Sequence, residues 1–418
     1  MKLKPIVTAV LLASFATAVS AADVEVLHWW TSGGEAKSVA ELKKMMEAKG
    51  HVWKDFAVAG GGGDAAMTAL KARVVSGNPP TAAQIKGPSI QEWAKEGSLG
   101  NINDAAKDWD KLLPKAVADV MKYKGNYVAA PVNVHRVNWL WINQDALNKA
   151  GGKVPANYDE FFALADKFKA QGLVAIAHGG QPWQDATVFE SVVLGVGGAK
   201  FYNDALVKLD PTALASPTME KSFDTLAKIK TYIDKDASGR DWNLATAMVM
   251  NGKGGMQFMG DWAKGEFSAA NKVSGKDYTC AAAPGTANSY TFNIDSFAMF
   301  NVKATDAKKG QLDLATAIMS PEFQEVFNLN KGSIPVRPGV NKAKFDACAT
   351  KSMADFDSTA KSGNLVASFA HGMAIPSATQ GAIVDVIAKF MNSTMSSKDA
   401  VAALVKASKT CATSINDY

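Results

Sequence analysis

Two adjacent tryptophans followed by a glutamate are the first candidate binding residues. Trp29 and Trp30 end an apolar stretch that begins at Val24, and Glu35 stands five positions after Trp30. Aromatic rings bury a large apolar area at little conformational cost, and a carboxylate makes strong hydrogen bonds. Side chains alternate along a half-buried strand, so the two rings should not both point into the core. We predict that Trp30 and Glu35, with Trp29 beside them, contact a ligand; the alternative role for Glu35 is to interact with a helix dipole.

A run of four glycines, 60–63, forms the next candidate loop, and Asp64 is predicted to cap the helix that follows it. Backbone amides before a helix can bind phosphate. No Lys-Ser or Lys-Thr pair follows, which excludes a P-loop. The loop predicts either a close approach of the ligand beside Asp64 or a tight turn.

Further candidate residues have polar or aromatic side chains and stand near the ends of predicted elements. Taken singly, each has an ordinary structural role: a lone tryptophan packs in the core, and a lysine near a helix end interacts with its dipole. The residues are Gln84, Lys86, Trp242, Trp262, Asp295, Lys331 and His371.

Alternating periodicities indicate how these residues are positioned. Residues 24–29, 51–58 and 81–85 are predicted strands, and helices are predicted at 36–48 and from Asp64. Strand–helix alternation predicts an α/β protein with a mainly parallel sheet covered by helices. Ligands of such sheets bind at the carboxyl ends of the strands, where Trp29, Gln84 and Lys86 would lie.

Composition excludes several classes of protein. The 418 residues include 45 basic and 40 acidic side chains, and the net charge of +5 falls to +3 without Lys2 and Lys4. This balance argues against a nucleic-acid partner, which requires a concentrated basic face. The 34 glycines and 15 prolines occur without low-complexity tracts, so the chain is a globular protein with length for two or three domains.

Residues 1–22 have the layout of a secretory signal peptide. Two lysines precede the apolar run 6–19, and small residues surround a cleavage site after Ala21 or Ala22. The run is too short to cross a bilayer as a helix. No cysteine follows it directly, so we expect an exported, periplasmic protein without a lipid attached there.

The three cysteines are far apart and lack metal-ligand spacing. An oxidising compartment permits a disulfide, and we favour Cys280 with Cys348 over pairings with Cys411. Three buried free thiols are the alternative.

Several short segments resemble one family as a set. PANYDEF from Pro155 is similar to a P-x-T-W-x-E-L helix start, and GDW occupies 260–262. SPEFQ from Ser320 and GSIPVR at 332–337 resemble S-P-E-x-Q … G-S-x-P-V-R. In this order they resemble the extracytoplasmic sugar-binding proteins of ABC transporters, of the maltose-binding type and most closely the glucose/mannose-binding branch.

The resemblance implies a two-lobed periplasmic binding protein fold of type II-like topology, with the ligand cleft between the lobes. The three crossings between lobes would lie near 131–133, 293–296 and 334–337. The N-terminal lobe would then comprise 23–131 and 296–335, and the C-terminal lobe 132–295 and 336–418.

The resemblance also implies a ligand set. A tryptophan and a glutamate five positions later match Trp30 and Glu35, and the pair Trp242 and Trp262 matches two stacking tryptophans twenty positions apart. Gln84, Lys86, Asp295, Lys331 and His371 match polar sugar ligands of the family. The implied function is capture of a monosaccharide, glucose first and mannose or galactose next, for an ABC permease, by a monomer that needs no cofactor or metal.

Two alternatives stay open. Glu35 and Asp295 are a candidate carboxylate pair for a secreted glycoside hydrolase. Nearby Lys86, Lys331 and His371 instead favour ionised carboxylates that only accept hydrogen bonds. Within binding proteins, an oligosaccharide or another small polar solute is the other candidate ligand.

Overall fold

The computed structural model describes residues 21–409. The predicted signal peptide lies outside the described residues except for Ala21 and Ala22, and Cys411 lies outside them too. Within residues 21–409, no helix has both the length and the hydropathy needed to cross a membrane.

Fourteen strands occur in the described part of the chain. They are β1 (Asp23–His28), β2 (Val52–Ala57), β3 (Ala82–Gln84), β4 (Lys122–Tyr123), β5 (Asn126–Tyr127), β6 (Ala129–Pro131), β7 (His135–Arg136), β8 (Trp139–Asn143), β9 (Val174–Ile176), β10 (Gly254–Phe258), β11 (Tyr278–Ala282), β12 (Tyr290–Asn293), β13 (Ser296–Met299) and β14 (Leu365–Ala367).

The α-helices of residues 21–409 are α1 (Gly33–Ala48), α2 (Asp64–Val75), α3 (Pro88–Lys95), α4 (Trp109–Leu112), α5 (Lys115–Val120), α6 (Gln144–Lys149), α7 (Tyr158–Ala170), α8 (Pro182–Tyr202), α9 (Pro211–Leu214), α10 (Pro217–Lys230), α11 (Trp242–Met250), α12 (Ala263–Ala269), α13 (Thr305–Ile318), α14 (Pro321–Lys331), α15 (Ala347–Ser362), α16 (Ser377–Met391) and α17 (Ser397–Ala407). A short π-helix covers Asn203–Val207, and 3₁₀-helices cover Lys235–Ala237 and Lys342–Lys344.

The two main sheets are mixed rather than mainly parallel. The order of the first is β2-β1-β3-β13-β6, in which β13 is antiparallel to both neighbours. The order of the second is β11-β8-β10-β9, with only the β10–β9 pair parallel. The prediction of a mainly parallel sheet is therefore wrong, because β13 pairs with strands far away in sequence. The carboxyl ends of β1 and β3 still share one edge.

Three groups of buried residues hold the fold together. The first core surrounds the five-stranded sheet and includes Leu27, Leu42 and Phe327. The second core lies beside the four-stranded sheet, with Phe189 among its residues. An aromatic cluster around Trp141 covers that sheet as well. We call the elements of the first core the first lobe, and those of the second core and the aromatic cluster the second lobe.

The chain passes between the lobes at three adjacent crossings. Val132 N donates to Asp295 O at 2.8 Å, and Val134 and Ile334 exchange backbone hydrogen bonds of 2.9 and 3.0 Å. This two-lobed α/β arrangement with three crossings is the predicted fold. The exact lobe boundaries stay a prediction: Ala349 and Phe356, from the segment assigned to the C-terminal lobe, pack in the first core.

Local sequence sets the end of α14, and this end places Lys331 at the cavity between the lobes. Ser320 caps the helix by accepting a hydrogen bond from Phe323 N at 3.2 Å, and Pro321 occupies its first turn. Gly332 ends it with φ 90°, a conformation that favours glycine. Lys331 is consequently the last helical residue.

Cys280 and Cys348 form a disulfide that joins β11 to α15 across 68 positions of sequence. A loop of this length restricts the unfolded chain strongly. We expect the double serine variant of Cys280 and Cys348 to lose about 4 kcal/mol of unfolding free energy in urea titrations. An unchanged midpoint in the double variant would contradict the stabilising role.

Candidate functional site

A cavity of about 300 Å³ lies between the two lobes, close to the crossings. Its wall combines indole rings with charged and polar groups from both lobes. The lining residues are Trp29, Trp30, Glu35, Gly61, Lys86, His135, Trp242, Trp262, Asn293, Asp295, Lys331 and His371.

Both tryptophans after β1 are buried, Trp29 at 5% exposure and Trp30 at 2%. The expectation that they alternate is wrong because β1 already ends at His28, so the strand rule does not apply to them. Trp30 packs against Phe297 and Phe327, with ring centroids 5.4 and 5.2 Å away. It therefore belongs to the first core as well as to the cavity wall.

Glu35 and Lys331 form a buried ion pair at the cavity. Lys331 Nζ donates to Glu35 Oε1 at 2.5 Å, and the same ammonium lies 5.6 Å from the centre of the Trp30 ring. A buried charge requires a partner, and this pair provides one for each. The pair keeps a charged acceptor and a charged donor at one end of the cavity.

Lys86 is the cation of the cavity that makes no hydrogen bond to another residue between 21 and 409. Its ammonium lies 5.2 Å from the centre of the Trp29 ring. Burial and the charge of Lys331 lower the pKa of Lys86, while Asp295 and Glu35 oppose the shift. Its N–H groups are available to a ligand.

A chain of buried ionisable groups runs from the second lobe to the crossings. His135 lies beside Asp261 through Nδ1 and contacts Asp295 Oδ2 through Nε2 at 2.9 Å. Burial alone would lower the pKa of His135, but the charges of Asp261 and Asp295 raise it. Burial alone would raise the pKa of Asp295, but His135, Lys331 and Lys86 hold it far below its usual value. Each of these two groups therefore favours the charged form of the other.

The second lobe contributes an aromatic wall. Trp262 stands edge-on between His135 and His371, at centroid distances of 5.1 and 4.8 Å. Opposite, Gly61 of the first lobe approaches Trp242 so closely that a Cβ there would lie 2.7 Å from Trp242 Cδ1. Glycine is required at this contact because any side chain would separate the two walls.

His371 presents a neutral imidazole. Burial and the charges of Lys86 and His135 lower its pKa well below the usual value. Its Nε2 makes a 3.0 Å hydrogen bond with Thr187 Oγ1, and Nδ1 makes none within the described residues. The loop that carries it is held by Glu190, which accepts hydrogen bonds from Ser368 Oγ and Ala370 N at 2.8 and 3.1 Å.

The family model for bacterial extracellular solute-binding proteins matches residues 35–325. The chain belongs to this family. The "Probable sugar-binding periplasmic protein" of Brucella suis biovar 1 is 53% identical to this solute-binding protein, over 95% of this chain and 94% of its own.

Solved structures support the fold assignment. A structure titled "Chitin oligosaccharide binding protein" superposes with a TM-score of 0.79 at 19% identity, over 93% of this chain and 98% of its own. The bacterial solute receptor AcbH, described as having an exclusive preference for β-D-galactopyranose, gives a TM-score of 0.77 at 19% identity, over 94% of this chain and 99% of its own. At this identity the two structures show the shared fold.

Two of the residues singled out from sequence do not line the cavity of this solute-binding protein. Gln84 is fully buried behind it, where it accepts from Trp29 N and donates to Asp295 Oδ1, both at 3.3 Å. Asp64 is exposed as the first residue of α2, and Gly63 rather than Asp64 is the N-cap. The other nine predicted residues line one cavity.

Sequence reasoning missed His135, Asn293 and Gly61 as lining residues. His135 and Asn293 stand within two positions of predicted crossings, which was a usable signal because a cleft between lobes is bounded by its crossings. Gly61 was noted only as part of the glycine run.

The raised pKa of His135 and the lowered pKa of Asp295 predict how the stability of the fold depends on pH. A histidine with a raised pKa stabilises the fold below its unfolded pKa of about 6.5, and that contribution is lost as pH rises through the folded value. Asp295, with a lowered pKa, stabilises the fold above about pH 4, and this is lost as pH falls. We expect the contribution of the pair to be largest between these limits.

Urea unfolding of wild type and of His135→Gln, measured from about pH 4 to alkaline pH, tests the contribution of His135 to stability. The variant should lack the loss of stability above about pH 6.5. Comparing the variant with wild type removes the pH dependence that comes from other titrating groups. One of these is Glu190, because burial raises its pKa to about 7. An NMR titration that finds the His135 imidazole neutral at pH 6.5 would contradict the assignment.

Proposed function

We propose that the mature protein binds a monosaccharide, glucose first, in the cavity between its lobes and delivers it to an ABC importer from the periplasm. The observation that carries the proposal is one cavity with both kinds of surface that a sugar requires. Trp242 and Trp262 supply aromatic rings on which C–H groups can pack. Lys86 and Asp295 offer a charged donor and acceptor to hydroxyls.

The name of the Brucella suis relative supports a sugar as the ligand class. The cavity volume supports a small one. The empty space between its walls, about 300 Å³ including the part open to solvent, sets an upper bound on the ligand. The contact between Gly61 and the indoles of Trp242 and Trp183, where a Cβ would lie 2.7 and 2.9 Å from ring atoms, closes one side of it. An oligosaccharide would need this contact to open.

The contacts of the two carboxylates argue against glycoside hydrolysis. Glu35 pairs with Lys331 and Asp295 with His135, so each carboxylate faces a nitrogen partner instead of the apolar setting that keeps a general acid protonated. A glycosidase needs one of its two carboxyl groups to remain protonated as the general acid. Incubation with nitrophenyl glycosides should give no enzymatic release of nitrophenol. Turnover at an enzymatic rate would replace the binding proposal with a catalytic one.

Calorimetric titration of the mature protein tests the ligand. We expect glucose to bind, and maltotriose to bind more weakly, with mannose and galactose as the matched hexose panel. Tighter binding of maltotriose than of glucose would reassign the site to oligosaccharides. Absence of binding to all three hexoses at millimolar concentration would remove the monosaccharide proposal.

Closure of the lobes is the proposed route from binding to transport. A sugar that touches Lys86 in the first lobe and Trp262 in the second gains contacts only in the closed form, so binding shifts the population toward it. Small-angle scattering should give a smaller radius of gyration with saturating glucose than without. Equal radii would overturn closure while leaving sugar binding intact.

A further inference from the structure

Two helices, one in each lobe, begin at the boundary with the opposite lobe, and neither is capped by a side chain of its own N-cap residue. At the start of α1, Ser32 makes no side-chain cap to its own helix, and at the start of α16 the N-cap is Pro376, which has no capping side chain. Other helices, such as α7 and α10, are capped by their own Asn157 and Ser216. An uncapped helix N-terminus has free N–H groups and a partial positive charge.

In both cases the opposite lobe supplies the missing acceptor. Glu266, on α12 of the second lobe, accepts from Ser32 Oγ at 2.7 Å and from Gly34 N at 2.9 Å. Glu92, on α3 of the first lobe, accepts from Ser377 N at 3.1 Å and from Ser377 Oγ at 2.8 Å. The arrangement is reciprocal, since each lobe caps one helix of the other.

Close backbone contacts accompany both caps. A Cβ on Gly34 would lie 2.7 Å from the carbonyl carbon of Gly265, which precedes Glu266. A Cβ on Gly87, at the start of α3, would lie 2.1 Å from Gly372 O in the second lobe. The lobes therefore touch through glycines on two sides of the cavity, and separation of the lobes would break each contact together with its cap.

We infer that Glu266 and Glu92 are closure latches, positioning residues that hold the lobes together around a ligand they do not touch. The inference rests on the proposed binding by lobe closure. Neither residue lines the cavity. In an open form water would take the place of each carboxylate, so the latches stabilise the closed form selectively and slow the release of ligand.

The two latches should differ in strength. The hydrogen bonds of Glu266 are partly buried, whereas those of Glu92 are exposed to solvent. Water screens exposed charged contacts, so they contribute less. We expect Glu266→Ala to raise the glucose dissociation rate about tenfold, as loss of a charge-assisted hydrogen bond predicts, and Glu92→Ala to raise it less. The association rate should stay unchanged.

Stopped-flow tryptophan fluorescence with glucose measures these rates, and scattering reports the lobe separation. Glu96→Ala is the matched control, because this exposed glutamate follows α3 and makes no hydrogen bond to the second lobe within residues 21–409. The sugar-free variants should unfold at the wild-type temperature, which a purely structural role would not allow. Glu266→Gln, which keeps an acceptor oxygen without the charge, should fall between wild type and Glu266→Ala.

The outcomes separate this inference from the binding proposal. Wild type that binds glucose and closes, with the same dissociation rate in the Glu92→Ala/Glu266→Ala double variant, overturns the latches alone. An equal loss of thermal stability with and without sugar also overturns them. If wild type binds none of the hexoses but binds maltotriose, and Glu266→Ala releases maltotriose faster, the latches are supported and the monosaccharide proposal fails.

Discussion

Asp295→Asn is expected to lower glucose affinity about 100-fold and to cost about 3 kcal/mol of unfolding free energy. The carboxylate accepts hydrogen bonds from His135, Asn133 and Gln84, at 2.9, 3.2 and 3.3 Å. An amide of the same size supplies one acceptor oxygen and places a donor group against these donors. It also leaves the buried His135 imidazole with Asp261 as its remaining carboxylate partner.

Calorimetry and urea unfolding measure the two effects of Asp295→Asn separately. The matched control is Asp313→Asn in the first lobe, where Asp313 contacts His51 at 2.9 Å but is 26% exposed. Because Asp313 is partly exposed to solvent and does not line the cavity, its loss should cost less than that of Asp295 and leave affinity unchanged. A folded Asp295→Asn protein with wild-type glucose affinity would contradict the assignment of Asp295 as a ligand.

Trp262→Ala is expected to have the second large effect. The side chain is 6% exposed and stands between His135 and His371. Removing a buried indole costs about 3–5 kcal/mol of stability. Loss of a central aromatic contact weakens binding by at least about 2 kcal/mol, or roughly 30-fold. The variant should also stay open at glucose concentrations that close the wild type.

Trp109→Ala provides the comparison for Trp262→Ala. Trp109 is 3% exposed and packs edge-on against Tyr127 at 5.1 Å, without lining the cavity. Both variants should lose stability, but only Trp262→Ala should lose affinity per folded molecule and fail to contract in scattering with glucose. Equal affinity in the two variants would show that Trp262 is a core residue without a role in the site.

Much of the local structure was predictable because it depends on neighbours in sequence. The strand ending near Trp29 follows from its apolar run, and α14 follows from its serine cap, early proline and terminal glycine. The position of Lys331 at the end of α14 is set by the same short motif. Strand ends and helix ends are local features, so Glu35, Lys86 and Lys331 could be named as candidates before any packing was known.

The electrostatics of the site depend instead on contacts between distant segments. His135 stands near a predicted crossing, but only the fold places it between Asp261 and Asp295, 126 and 160 positions away. Asp64 had the right residue type but stands on the exposed side of α2. A side chain's charge state is set by what surrounds it in space, and that surrounding is assembled by the whole fold.

The sequence by itself therefore determined the α/β class through its periodicities. It also determined the family and, through that resemblance, most of the residues around the cavity, because short motifs are local and survive without tertiary context. Tertiary structure alone decided that Trp30 packs against Phe297 and Phe327, that β13 runs antiparallel to β3, and that Glu266 caps a helix 232 positions earlier. These are long-range pairings, whose stability comes from burial and hydrogen bonding summed over two lobes. A local sequence pattern therefore cannot predict these pairings.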